Sequence, residues 1–221
     1  MTFDRYVAYL STPENLRREA NTGPRIDRSG FFREAYERTH LTDAQTAALQ
    51  WLVAQPNAPA KMLAISEDWS SDCRRDVPTF ARMAEVGGLE LRIFNRDGQK
   101  FSSANVPSLA EARDSNADLM AQFLNTKNGQ TFQSIPVCAF FTRDMEYLYH
   151  FTEYPAIYDK DRVVMQHIRA PQPGESAEQT RARADREFGA LVNSPFWQIW
   201  TSATVDEVLS ALHRKAVIGV V

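Results

Sequence analysis

The sequence predicts an α/β fold: a central mixed sheet of about four strands, flanking helices, and helical extensions at both ends. Three observations carry that expectation. A strand, a tight turn, a helix and a second strand follow one another between Lys61 and Phe94. Two β-prone runs, Val137 to Phe141 and Glu146 to Phe151, lie so close together that they make a hairpin. Helical patterning dominates before residue 57 and after residue 155.

Taken in order, Phe3, Tyr6, Val7 and Leu10 fall on one helical face. Thr12-Pro13-Glu14 supplies an N-cap with proline at the first helical position, and Asn21-Thr22-Gly23-Pro24 stops that helix. A third helix carries Phe31, Phe32, Ala35 and Tyr36, and a fourth opens on the capping box Thr42-Asp43-Ala44-Gln45. Gln55 to Pro59 breaks the pattern before the strand Lys61 to Ser66. The helix that follows ends at Gly87-Gly88, and Leu89 to Phe94 alternates as a strand. Two strands joined through a helix imply parallel pairing. Residues 99–113 read as irregular, Asp118 to Leu124 as a short helix, and Asn125 to Gln133 as a loop with a turn at Asn128-Gly129. After the hairpin, Arg162 to Ile168 is helical. Ser176-Ala177-Glu178-Gln179 caps a helix whose Arg181, Arg183, Asp185, Arg186 and Glu187 read as a solvated face. Thr204-Val205-Asp206-Glu207 caps a last helix. The expected organisation is one compact domain, with an extension over 1–57, a core over 58–170 and an extension over 171–221.

Composition narrows the function. The chain has 221 residues, 43% hydrophobic and 24% charged, ordinary globular usage. A net charge of −3 without a basic block offers no footprint for nucleic acid. No apolar run approaches the ~20 residues that span a bilayer, and the N-terminus has no signal-peptide pattern. With two cysteines, Cys73 and Cys138, a secreted disulfide framework is not expected, and the expected location is cytoplasmic. The histidines show no metal-ligand spacing, so no metal and no cofactor is expected. No oligomeric state is legible.

The chemistry gathers at Trp69-Ser70-Ser71-Asp72-Cys73, between the first strand and its helix, with Pro78 five residues beyond Cys73 and Ile135-Pro136 just before the hairpin. This pattern resembles the thioredoxin superfamily, whose motif is Trp-Cys-x-x-Cys at the start of a long helix. The resemblance spans roughly residues 60–170 and implies a thioredoxin-like fold, a kink proline at Pro78 and a cis-proline at Pro136 facing the motif. It also implies catalytic positions at Ser70 and Cys73. Trp69, Ser71, Asp72, Ile135 and Pro136 would line a substrate groove. The departures bear on activity. Ser70 stands where the family has its attacking thiol, and an alcohol neither ionises near neutrality nor forms a disulfide. Ala64 stands where the family often buries a proton-moving acid.

Ser70, Ser71 and Asp72 are equally good N-cap residues. Cys73 reads two ways: as a reactive single thiol favoured by the helix N-terminus and Arg74/Arg75, or, preferentially, as a buried inner cysteine whose ionisation Glu67, Asp68, Asp72 and Asp76 oppose. A Cys73–Cys138 disulfide is conceivable. The acidic residues read as solvated surface that could select a basic partner. Two functions follow. One is a thiol–disulfide oxidoreductase relative whose dithiol activity is lost, or limited to mixed-disulfide chemistry at Cys73 with a protein or small-thiol partner. The other is a non-catalytic peptide- or protein-binding module using Trp69 and Ile135-Pro136. An engineered Cys→Ser form of an active oxidoreductase would carry the same motif.

Overall fold

The computed structural model describes residues 1–21, 23–108 and 110–219. Thr22, in the expected helix stop, and Leu109, in the expected irregular stretch, lie outside them. The described elements are, in chain order, α1 (Phe3–Leu10), α2 (Pro13–Arg17), α3 (Ser29–Arg38), α4 (Asp43–Val53), β1 (Lys61–Ser66), α5 (Ser71–Gly87), β2 (Glu90–Asn95), α6 (Ala117–Met120), β3 (Asn125–Lys127), β4 (Gln130–Phe132), β5 (Val137–Phe141), β6 (Tyr147–Thr152), α7 (Ala177–Val192) and α8 (Pro195–His213).

Local sequence accounts for most boundaries. The Thr12 hydroxyl accepts from the Asn15 N–H with Pro13 behind it, and Thr42 and Gln45 make both bonds of the capping box. α5 is capped by Ser70, whose side chain accepts from the Cys73 N–H, and ends at Gly88 in the left-handed region, with φ 64°. Pro78 lies inside α5. It has no N–H for the carbonyl a turn before it, and the Thr79 hydroxyl donates to the neighbouring Arg75 carbonyl at 3.0 Å.

The main sheet has the order β2-β1-β5-β6. β1 and β2 run parallel, with Lys61 opposite Glu90 and Ser66 opposite Asn95. β5 pairs antiparallel with β1, and β6 antiparallel with β5. A central four-stranded mixed sheet with flanking helices is a thioredoxin-like fold. Its core takes in both ends of the chain. Tyr6 of α1, Phe32 of α3 and Leu49 of α4 are buried with Met62, Ile65 and Phe80, and Val205, Val208 and Leu212 of α8 join them. A smaller cluster of Tyr158, Val164, Trp197 and Trp200 lies under the C-terminal helices.

Three expectations fail on secondary structure or exposure. Asn125 to Gln133 is not a plain loop but a two-stranded hairpin, β3–β4. Asn128 and Gly129 both take positive φ, 50° and 75°, as a tight hairpin turn requires. Thr204 is not a cap, because α8 begins nine residues earlier at Pro195, after Ser194. There Thr204 donates to the Asp76 carboxylate at 3.0 Å and to the Trp200 carbonyl at 3.2 Å. Arg183 is not solvated either. It is buried, bonded to Glu175 and to the Ile168 and Ala170 carbonyls, since the stretch before α7 folds back along it. Asp161 to Ile168 is helical as expected, wound as a π-helix.

Candidate functional site

The turn between β1 and α5 is held from three sides by buried charge. Glu67 and Asp68 point into the protein, not into solvent. Arg18 bonds Glu67 at 2.6 Å, Arg25 bonds Glu67 at 2.8 Å and also pairs with Asp68, and Asn15 donates to Asp68 at 3.0 Å. The Asp97 N–H donates to Glu67 as well, at 2.8 Å. Burial pushes the Glu67 carboxyl up against the pull of Arg18 and Arg25. On α5, Arg75 bonds Asp76 through two nitrogens, at 3.0 and 2.5 Å, and Asp72 at 3.4 Å, with all three side chains buried. The acidic residues that sequence reading placed on a solvated surface are therefore all internal. Arg18 and Arg25, from the segment after α2, Arg75 of α5 and Lys160 neutralise them, which removes the acidic patch expected to select a basic partner.

Cys73 is fully buried, as is Cys138, and both are free thiols. Burial pushes the Cys73 thiol up to about 12, although the Glu67 N–H and the Ser66 and Ser70 hydroxyls favour the thiolate. Arg74 and Arg75 do not offset this, and Arg75 is committed to Asp72 and Asp76. Desolvation opposes the reactive-thiol reading. Tyr6 and Ser66 share a hydrogen bond of 2.9 Å beneath the turn. Asp76 is, with Asp72, a buried acid on this helix, and burial outweighs Arg75 and holds its carboxyl at about 6.

Above the turn opens a cleft of about 590 Å³. Trp69, Ser70, Asp72 and Ile135 line it, whereas Ser71, Cys73 and Pro136 do not. The Ile135–Pro136 peptide bond is cis. Among the described residues, neither the N–H nor the C=O of Ile135 has a backbone partner, and the buried Trp69 Nε1 has none either. Sequence reading missed much of the wall. Arg96 lies 5.1 Å from the Trp69 ring centre and 5.3 Å from that of Phe101, while bonding Asp97 and the Gln133 and Ser102 carbonyls. Phe132 comes from β4. Lys127, Glu153 and Lys160 close the opposite end: Lys127 bonds Glu153 at 2.7 Å, and Lys160 bonds Glu153 at 3.4 Å and pairs with Asp72. These residues come from the β3–β4 hairpin, the end of β6 and the segment before the π-helix. No sequence spacing links them.

Three comparisons bear on this geometry. A family model described as thioredoxin matches residues 27–108, from the segment before α3 past the end of β2. No curated protein matches. Among solved structures, a protein of unknown function from Pseudomonas aeruginosa is 13% identical with a TM-score of 0.51, covering 96% of this chain and 92% of that one. An HIV epitope-scaffold is 15% identical, with the same TM-score and coverage. At such identities the likeness is one of fold.

Proposed function

Taking this chain as the thioredoxin-like protein that its fold and family match make it, we propose that it is a non-catalytic binding module. It has lost dithiol exchange and holds an extended peptide segment in the cleft beside Trp69 and Ile135. The observation that carries this reading is the separation of thiol from cleft. The side chain at the cleft is the Ser70 hydroxyl, which caps α5, while Cys73 is fully buried with its thiol held at about 12. A thiol with that pKa is a thiolate in a vanishing fraction of molecules near neutrality, and thiolate is the nucleophile in exchange. The groove has the features that peptide pairing needs: free backbone groups at Ile135, and aromatic walls from Trp69, Phe101 and Phe132.

The test is a pair of assays. Wild type is expected to reduce no insulin with dithiothreitol. It is expected to bind a randomised, fluorescein-labelled hexapeptide pool by anisotropy, and Ile135→Asp to lose that binding while keeping its circular dichroism. Phe132→Arg, on the cleft wall, serves where Ile135→Asp does not fold. Turnover of insulin, or binding that both variants leave intact, would sink the reading.

A further inference from the structure

Glu153 is held unusually rigidly for a glutamate on the wall of an open cleft. Its φ is 70°, the left-handed region that side chains other than glycine rarely adopt. Its N–H donates to the Pro136 carbonyl at 2.8 Å, and its own carbonyl accepts from Arg75 at 3.4 Å. The backbone that carries the carboxylate is thereby anchored one hydrogen bond from Pro136, the residue that follows Ile135. Beside it, the Tyr154 ring presents a face to two ammonium groups, Lys127 at 4.4 Å and Lys160 at 5.3 Å from its centre. A carboxylate on an anchored backbone beside an aromatic face is a receptor for a cation.

Two lysines occupy it, and they are not equivalent. Lys160 is 20% exposed, and Asp72 and Glu153 anchor it from two sides. Lys127 is 33% exposed, sits at the turn of a two-stranded hairpin outside the main sheet, and its ammonium bonds, among the described residues, only Glu153 and the Tyr154 hydroxyl. Of the ions in this cluster, Lys127 is the one that can swing into water at least cost, on a flexible four-carbon stem. Removing it leaves Glu153 with one ammonium 3.4 Å away and the Tyr154 ring with Lys160 alone, 5.3 Å from its centre.

We propose that Glu153 and Tyr154 form a subsite for a cationic side chain, and that Lys127 is its built-in occupant. Resting on the binding-module reading, this makes the partner an extended segment carrying a lysine or arginine, which enters by displacing Lys127. The charge selection comes from a single carboxylate, not from a surface field. The Lys127 contact is autoinhibitory, weakening every basic segment by the work of pulling that side chain away.

The experiment uses the full chain and hexapeptide pools with lysine, norleucine or glutamate fixed at each position in turn, read by anisotropy. Lys127→Ala is expected to tighten the lysine pools by about three- to tenfold and leave the norleucine pools unchanged. Glu153→Gln is expected to remove the preference for lysine over norleucine. Lys127 is partly exposed, so its variant keeps the fold readable should Glu153→Gln be unstable. Equal affinity of lysine and norleucine pools for Lys127→Ala overturns the subsite. If Ile135→Asp still abolishes binding of those pools, the binding module itself stands. Absence of binding by any pool, to wild type and to Lys127→Ala alike, overturns both.

Discussion

At position 73 the same residue type that defines a reactive motif is fully buried, and burial pushes its thiol up to about 12. Cys73 receives bonds from a backbone N–H and lies beside two hydroxyls, all favouring the thiolate, yet full burial outweighs them. We expect a thiol titration at pH 7.4 to find no reactive cysteine in the native protein and two after denaturation; labelling of Cys73 in the folded state would contradict this. Ser70→Cys places a second sulfur at the cap of α5, a Cys-x-x-Cys spacing. Aerobic oxidation is expected to give a disulfide to Cys73, seen as a mass loss of two hydrogens and protection from alkylation. Asp76, like Glu67, is pushed up by burial in spite of its arginine partner. Its folded pKa, about 6, lies above the usual aspartate value, so the folded chain holds a proton that the unfolded chain releases. Its contribution is greatest below about pH 4 and is lost as pH rises through about 6. Asp76→Asn should flatten the slope of denaturant stability against pH across that window.

Helix α5 organises the site because both of its ends are specified locally. Ser70 turns the chain into the helix at the cleft, and Gly88 turns it out again at φ 64°. No atom lies within 4 Å of a Cβ built at Gly88, so the cost of a side chain there is conformational alone. Gly88→Ala should therefore destabilise by about 1 kcal/mol, measured as a shift in denaturant midpoint with an unchanged slope. The β3–β4 hairpin shows how a short element escapes sequence reading. Asn128-Gly129 was legible as a turn, but three-residue strands carry too little alternation to be told from loop. The hairpin nonetheless delivers Lys127 and Phe132 to the cleft.

Over the whole molecule, the extensions supply what the central sheet lacks. Arg18 and Arg25 come from the N-terminal segment and neutralise Glu67 and Asp68 at the site. Thr204, on α8, donates to Asp76 of α5. Arg25→Ala strips a partner from two buried carboxylates and should cost about 3–5 kcal/mol, against near-neutral loss of the exposed Arg38–Glu34 pair. Trp69 reports on the cleft, and Trp197 and Trp200 on the C-terminal cluster. One domain, as we propose, requires fluorescence and far-ultraviolet dichroism to unfold at one midpoint; two separated transitions would divide it. Among the described residues no helix is long and apolar enough to cross a membrane.

What the sequence determined by itself was local in origin. The helix caps at Thr12, Thr42 and Ser176, the alternation of β2, the hairpin of β5 and β6, and the Trp69-to-Cys73 turn are each written within a few neighbouring residues. Together they sufficed for the four strands of the main sheet and the thioredoxin-like fold. Tertiary structure decided where the charges went. Glu67, Asp68, Asp72 and Asp76 read as surface because a lone charge resists burial, and the arginines and lysine that neutralise them lie as far as 88 residues away along the chain. It decided too that α8 starts at Pro195, so that Thr204 meets Asp76 inside the protein instead of capping a helix. The cleft was legible only in part, at Trp69, Ser70, Asp72 and Ile135. Lys127, Glu153 and Lys160 converge from three segments, and whether a side chain is an exposed charge or half of a buried pair depends on a partner that no local spacing names.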